Sequence, residues 1–208
     1  MYCILVTGIP ASGKSTLAEY LGEKLNLPVF SKDCVKELLF DEIGFSSREE
    51  KVRLGTVSTR ILYDTAERLM KRNKPFLLEN NFENASREGL FSLLERYSYQ
   101  AITVTLTGDY TAIYRRFLVR NESPERHRGH VVNDCYPEKH PGTPVAALSF
   151  EQFVSGIRLR GMDSFTANGP HIIVDTTDFS LLDREALLRE LVRCRNEILG
   201  VSAGGEDV

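Results

Sequence analysis

Near the start of the chain, Gly8-Ile9-Pro10-Ala11-Ser12-Gly13-Lys14-Ser15-Thr16 satisfies the pattern G-x-x-x-x-G-K-[ST] at every position. The chemistry this spacing serves is polyphosphate binding. Gly8 and Gly13 let the backbone curl so that successive N–H groups point inward as an anion nest. A helix starting where the loop ends adds the positive end of its dipole and its unpaired N–H groups. Lys14 is expected at the solvent-open mouth of this nest, within reach of the terminal phosphates. The Ser15 hydroxyl is placed to ligate Mg²⁺.

The elements around the motif are the ones its mechanism requires. Tyr2-Cys3-Ile4-Leu5-Val6-Thr7 reads as a short buried strand, and Leu17, Ala18, Leu21 and Leu25 recur at helical spacing. Further along, Leu27–Phe30 is a second strand, followed by a helix with Val35, Leu38, Leu39 and Ile43 that Gly44 stops. A long helix to about Arg72 opens at Ser47, with Glu50 three residues on as a capping box. Pro75–Asn80 reads as the third strand, 86–97 as a helix, Ala101–Leu106 as the fourth strand and Tyr110–Asn121 as a helix. Residues 122–148 break this rhythm: rich in Pro, His, Arg and Gly, they form an expected lid with little core material. A short helix over Phe150–Leu159, a fifth strand over His171–Asp175 and a last helix over Leu181–Leu199 complete the pattern. Residues 200–208 read as a flexible tail, and residues 1–199 as one domain carrying the lid.

Strands alternating with helices imply an α/β fold with a parallel sheet covered on both faces. Ligands in such sheets bind at the carboxyl ends of the strands. That edge carries the glycine-rich loop, Asp33, Glu79-Asn80-Asn81, Gly108-Asp109 and Asp175-Thr176-Thr177. Arg116 and Arg120, four residues apart, share one face of the helix that enters the lid, and Arg126 and Arg128 follow in the lid itself. The lid also holds His127, His130, Cys135 and His140, but H-x₂-H-x₄-C-x₄-H matches no standard zinc spacing, so no structural zinc is expected.

Composition narrows the class. The net charge of −3 gives no global pull toward nucleic acid or a membrane surface. No apolar run approaches the ~18 residues of a membrane span, and the N-terminus reads as a core strand rather than a signal peptide. Four scattered cysteines without a C-x-x-C suit reduced thiols, hence a cytoplasmic setting.

With these residues in view, the chain resembles the P-loop small-molecule kinases of the nucleoside-monophosphate-kinase-like fold, a group that includes chloramphenicol phosphotransferase, zeta-toxin and polynucleotide 5′-kinase types. Strong identity is confined to residues 8–16, whereas the layout extends over about residues 2–199. The resemblance implies a three-layer α/β/α sandwich with a five-stranded parallel sheet of order 2-3-1-4-5. It implies ATP as phosphoryl donor with Mg²⁺ as the metal and does not fix the acceptor; the net charge, and Lys and Arg spread among acidic neighbours, point to a small molecule rather than nucleic acid or a membrane. It places a proton-accepting carboxylate at Asp33, although a first-turn Asp also serves a helix dipole. Arg116 and Arg120 become a phosphate clamp, and Arg126 and Arg128 lid contributions to it. Glu79 becomes a water-mediated Mg²⁺ partner where the family has Asp, and Asn80 and Asn81 become acceptor contacts. Asp175–Asp178 falls where the family passes the adenine, and the absence of N-K-x-D argues against a GTPase. The expected activity is therefore ATP-dependent transfer of a phosphoryl group to a small acceptor. A polynucleotide 5′-hydroxyl kinase and a nucleotide-driven ATPase or switch are the alternatives.

Overall fold

The computed structural model describes residues 1–201; the remainder of the expected tail, 202–208, lies outside the described residues. Five strands form one all-parallel sheet: β1 (Tyr2–Gly8), β2 (Val29–Ser31), β3 (Leu77–Glu79), β4 (Gln100–Thr107) and β5 (His171–Asp175). Their spatial order is β2-β3-β1-β4-β5, the order expected. Alternation along β1 divides the core in two, because successive side chains leave opposite faces of a strand. Ile4 and Val6 join Leu17 and Leu21 of α1 (Lys14–Leu25) and Leu187 and Leu191 of α8 (Arg184–Leu199). Cys3 and Leu5 face the other way, onto Leu62, Ala66 and Met70 of α3 (Arg48–Met70) and Leu90 and Leu94 of α4 (Asn84–Arg96). Both faces of the central strands β1, β3 and β4 are thus dry, which is why they read as apolar runs.

Three further helices complete the architecture: α2 (Lys32–Ile43), α5 (Tyr110–Glu122) and α7 (Phe150–Arg160). A four-residue turn of helix, α6 (Arg128–Val131), lies inside the lid. Helices α5 and α7 close on each other through Ile113, Phe153 and Ile157, which enclose Ile9 of the glycine-rich loop. No helix among the described residues is long and apolar enough to cross a membrane.

Three expectations need correction. The lid is not devoid of core: Val132, 2% exposed, is buried with Phe40, Phe45 and Leu54 of the α2–α3 corner. Only 139–149 runs fully exposed. The reason is long-range: Phe45 and Tyr136 exchange two backbone hydrogen bonds of 2.8 Å, stitching the lid to the α2–α3 turn. At the start of α3, Ser47 caps as expected by accepting from the Glu50 N–H. The Glu50 carboxylate, however, reaches past Ser47 to the Ser46 N–H at 2.6 Å, so the reciprocal half of the box closes one residue earlier. Finally, α8 begins at Arg184 under an Asp183 cap, and Phe179–Leu181 forms a separate 3₁₀ turn.

Candidate active site

Gly8 and Gly13 have no substitute in this loop. At Gly8 φ is +136° and a Cβ would meet the Leu106 carbonyl oxygen at 2.1 Å; at Gly13 φ is +94° and a Cβ would meet the Phe179 ring at 2.5 Å. Ala11 also lies at positive φ, 63°. Alternating backbone handedness of this kind turns consecutive N–H groups to one side. Gly13 heads α1 without a capping side chain and without an acid in the first turn. The helix start therefore keeps its unpaired N–H groups and positive dipole end for an external anion.

Lys14 is not at an open mouth. It is only 7% exposed, and its ammonium donates to the Ile9 carbonyl at 2.9 Å. Burial lowers its pKa, opposed by the charges of Glu79 and Asp33. Ile9 and Ser12 turn inward with fully buried side chains, so their contribution to the nest is backbone alone. Pro10, Ser15 and Thr16 line a cavity of about 1040 Å³ over the carboxyl edge of the sheet.

Asp33, in the first turn of α2, lines the same cavity. Burial raises its carboxyl, but the charges of His130, Lys36, Arg126 and Lys14 outweigh burial and hold it below the usual range. Glu79, 4% exposed at the end of β3, accepts from the Ser31 hydroxyl at 2.6 Å; burial lifts its pKa although the Lys14 charge lowers it. The two carboxylates flanking Lys14 thus differ in character, one shifted down by surrounding cations and one shifted up by burial. Ser15 and Glu79 offer only oxygen donors, the kind a hard divalent cation such as Mg²⁺ takes.

Beside Glu79, Asn80 is 5% exposed. Its Oδ1 accepts from the Asn81 N–H, while its buried Nδ2 has no partner. Both asparagines line the cavity.

The arginines divide. Arg120 and Arg126 face the cavity, near enough for each to lower the pKa of Lys14. Arg116 lines it too, but donates to the Thr176 carbonyl at 2.5 Å, which ties α5 to the loop after β5. Arg128 lines it as well and is forked onto Glu138 at 2.8 and 2.6 Å, a pair internal to the lid that offsets its charge.

Four charged side chains at the cavity and the base of the lid were not singled out in the sequence. Lys36 lies three residues after Asp33, one turn along the same helix, a spacing that could have revealed it. Lys51, 3% exposed on α3, donates to the His130 and Val132 carbonyls at 3.0 and 2.5 Å and to Asn133 at 3.2 Å. Its pKa falls to about 7, from burial first and then from the charges of Lys36, Arg48 and Arg126. Glu37 and Asp41 receive the lid histidines: His130 meets Glu37 at 2.8 Å and His127 meets Asp41 at 3.0 Å. The histidines therefore fasten the lid to α2. Among the described residues no three His, Cys, Asp or Glu side chains gather as a metal-binding group.

Comparison with known proteins agrees with this geometry. A family model described as an AAA domain (AAA_33) matches residues 3–134. A “putative kinase” from Chloroflexus aurantiacus J-10-fl is 28% identical, covers 93% of this chain and 97% of its own, and superposes with a TM-score of 0.73. A sugar kinase from Janibacter sp. HTCC2649 is 13% identical over 94% of this chain and 95% of its own, TM-score 0.55. A gluconokinase from Sinorhizobium meliloti 1021 is 15% identical over 97% and 98%, TM-score 0.52. The last two share the fold. No curated protein matches the chain in sequence.

Proposed function

The chain belongs to the AAA-domain family AAA_33 and has the fold of the P-loop small-molecule kinases; from that premise we propose that it transfers the γ-phosphoryl group of ATP to a hydroxyl of a small acceptor. The observation that carries this reading is the single cavity shared by the phosphate loop and Asp33. A nest for the donor and an ionised carboxylate for the acceptor's proton open into one space.

The backbone N–H groups of residues 8–16, with Lys14, hold the donor phosphates. Ser15 directly, and Glu79 through water, would hold Mg²⁺, which when bound neutralises charge on the β- and γ-phosphates. Asp33 orients the acceptor hydroxyl and takes its proton as the new O–P bond forms and the bond from phosphorus to the β–γ bridging oxygen breaks, leaving ADP. Arg120 stabilises charge on the phosphoryl oxygens in flight. Arg116, held at Thr176, lies on the side where the base of the nucleotide would sit. Thr176 is buried, and Phe179 packs against Gly13, so the loop after β5 forms a wall next to the nest.

The test is kinetic. General-base catalysis contributes about 10²–10⁴-fold, so Asp33→Asn lowers kcat by roughly that factor with the KM for ATP nearly unchanged. If Asp33→Asn instead weakens ATP–Mg²⁺ binding and spares kcat, Asp33 is a metal-side residue. If only thermal stability falls, it is a helix-end acid, and the base lies elsewhere along the sheet edge.

A further inference from the structure

The cavity holds more positive charge than a nucleotide donor uses. Two of its cations are already closed on carboxylates, Arg128 on Glu138 and Arg160 on Glu83. On the acceptor side of Asp33, Lys36 and Arg126 also line it, and among the described residues neither forms an ion pair with a carboxylate. Glu37, the other acid on this face of α2, is occupied by His130. Lys36 runs along α3 where Gly55 leaves it room, a Cβ there standing 3.5 Å from its Cε, and its ammonium sits 5.3 Å from the centre of the Phe40 ring. Burial in this groove pulls its pKa down to about 8.

A second observation concerns unpaired polar atoms. Three residues that line the cavity carry buried polar side-chain nitrogens without a partner: Asn80 Nδ2, Arg116 Nε and Arg126 Nε. All three are donors. Buried donors are satisfied in functioning sites, so what completes this one brings acceptor atoms. Among the described residues Asp33 is the one carboxylate near both cations that forms no ion pair of its own, so a neutral ligand would leave two half-buried cations sharing one charge, at a desolvation cost a matching anion removes.

We propose that the acceptor is a small hydroxylated anion, a carboxylate or a phosphate monoester, whose negative group is received by Lys36 and Arg126 while Asn80 donates to a neighbouring oxygen and the hydroxyl faces Asp33. This rests on the phosphotransferase reading above. The cavity volume, about 1040 Å³, is near the upper end for a small-molecule site, room for a nucleotide beside a small acceptor rather than a long chain.

Two arms test it. In the first, transfer from γ-labelled ATP is compared across matched pairs: glycerate with glycerol, glucuronate with glucose, ribose 5-phosphate with ribose, alongside a 5′-hydroxyl oligonucleotide. The anionic member should lead its pair in kcat/KM by about 10–100-fold, the worth of a hydrogen bond to a charged group. Lys36→Met should remove that preference through KM rather than kcat, and Lys36→Arg should keep it. In the second arm, protein loaded with adenylyl imidodiphosphate and Mg²⁺ is titrated with inorganic phosphate and with acetate, which separates the two anion types. Binding should weaken at least about tenfold in Lys36→Met. Preference for neutral members, a preference that survives Lys36→Met, turnover of the oligonucleotide alone, or anion binding that is absent or indifferent to Lys36 overturns the proposal. Anion binding that depends on Lys36, with no acceptor labelled, supports the anion site and counts against phosphotransfer.

Discussion

Lys14 and Asp33 line one cavity, and the environment of each sets what it does. Lys14 is buried with its ammonium on a backbone carbonyl, so Lys14→Met should preserve volume and fold while removing the charge that meets the donor. A loss of about 10²–10³-fold in turnover is expected, the worth of one oriented donor at developing charge. A folded Lys14→Met variant with normal turnover would remove the phosphate loop from the reaction. Asp33 carries a pH prediction. Its carboxyl lies below the ordinary range because the charges of His130, Lys36, Arg126 and Lys14 outweigh the burial that would raise it. The base form therefore persists through neutral and mildly acidic solution, and kcat/KM should fall only below the usual carboxylate range. An acid limb where an ordinary histidine titrates would point to a different base. Residues 8–16 could be read directly because phosphate geometry dictates their types and spacing. Asp33 could be placed by its strand end. Lys51 could not, since its partners lie up to 82 residues away.

At the scale of elements, the strands and helices were legible because apolar runs and 3.6-residue periodicity report burial directly. The lid was not. Val131-Val132 in a polar stretch makes no period, yet Val132 fills the corner between Phe40, Phe45 and Leu54. Lys51 completes the attachment by donating to three lid oxygens. Lys51→Met leaves those acceptors without their donor, and a buried group left unsatisfied costs about 1–3 kcal/mol. The variant should melt lower, and amides 129–136 should exchange faster than in the native protein while those of β1 and β4 keep pace with global stability. Unchanged exchange across 129–136 would show that Val132 and the Phe45–Tyr136 bridge hold the lid without Lys51.

For the molecule as a whole, the parallel sheet followed from the alternation of elements, its strand order from the family resemblance, and the carboxyl edge from the parallel arrangement. What the sequence concealed was the division of the lid into a pinned half, to about Glu138, and an exposed arm over 139–149 that still reaches the cavity through Pro141–Leu148. Closure should therefore be confined to that arm. Exchange across 139–148 should slow when adenylyl imidodiphosphate, Mg²⁺ and acceptor bind together, as lids do to exclude water, while 129–136 changes little. Equal slowing of both halves would mean the whole lid moves. The central claim concerns the fate of one phosphoryl group, and following the label of γ-labelled ATP through a panel of small acceptors tests it most directly. The label should appear on a hydroxyl of a small molecule, with one ADP formed per labelled product and none of this in Asp33→Asn on the same timescale. Label released only as inorganic phosphate, at a rate no acceptor alters, would contradict it.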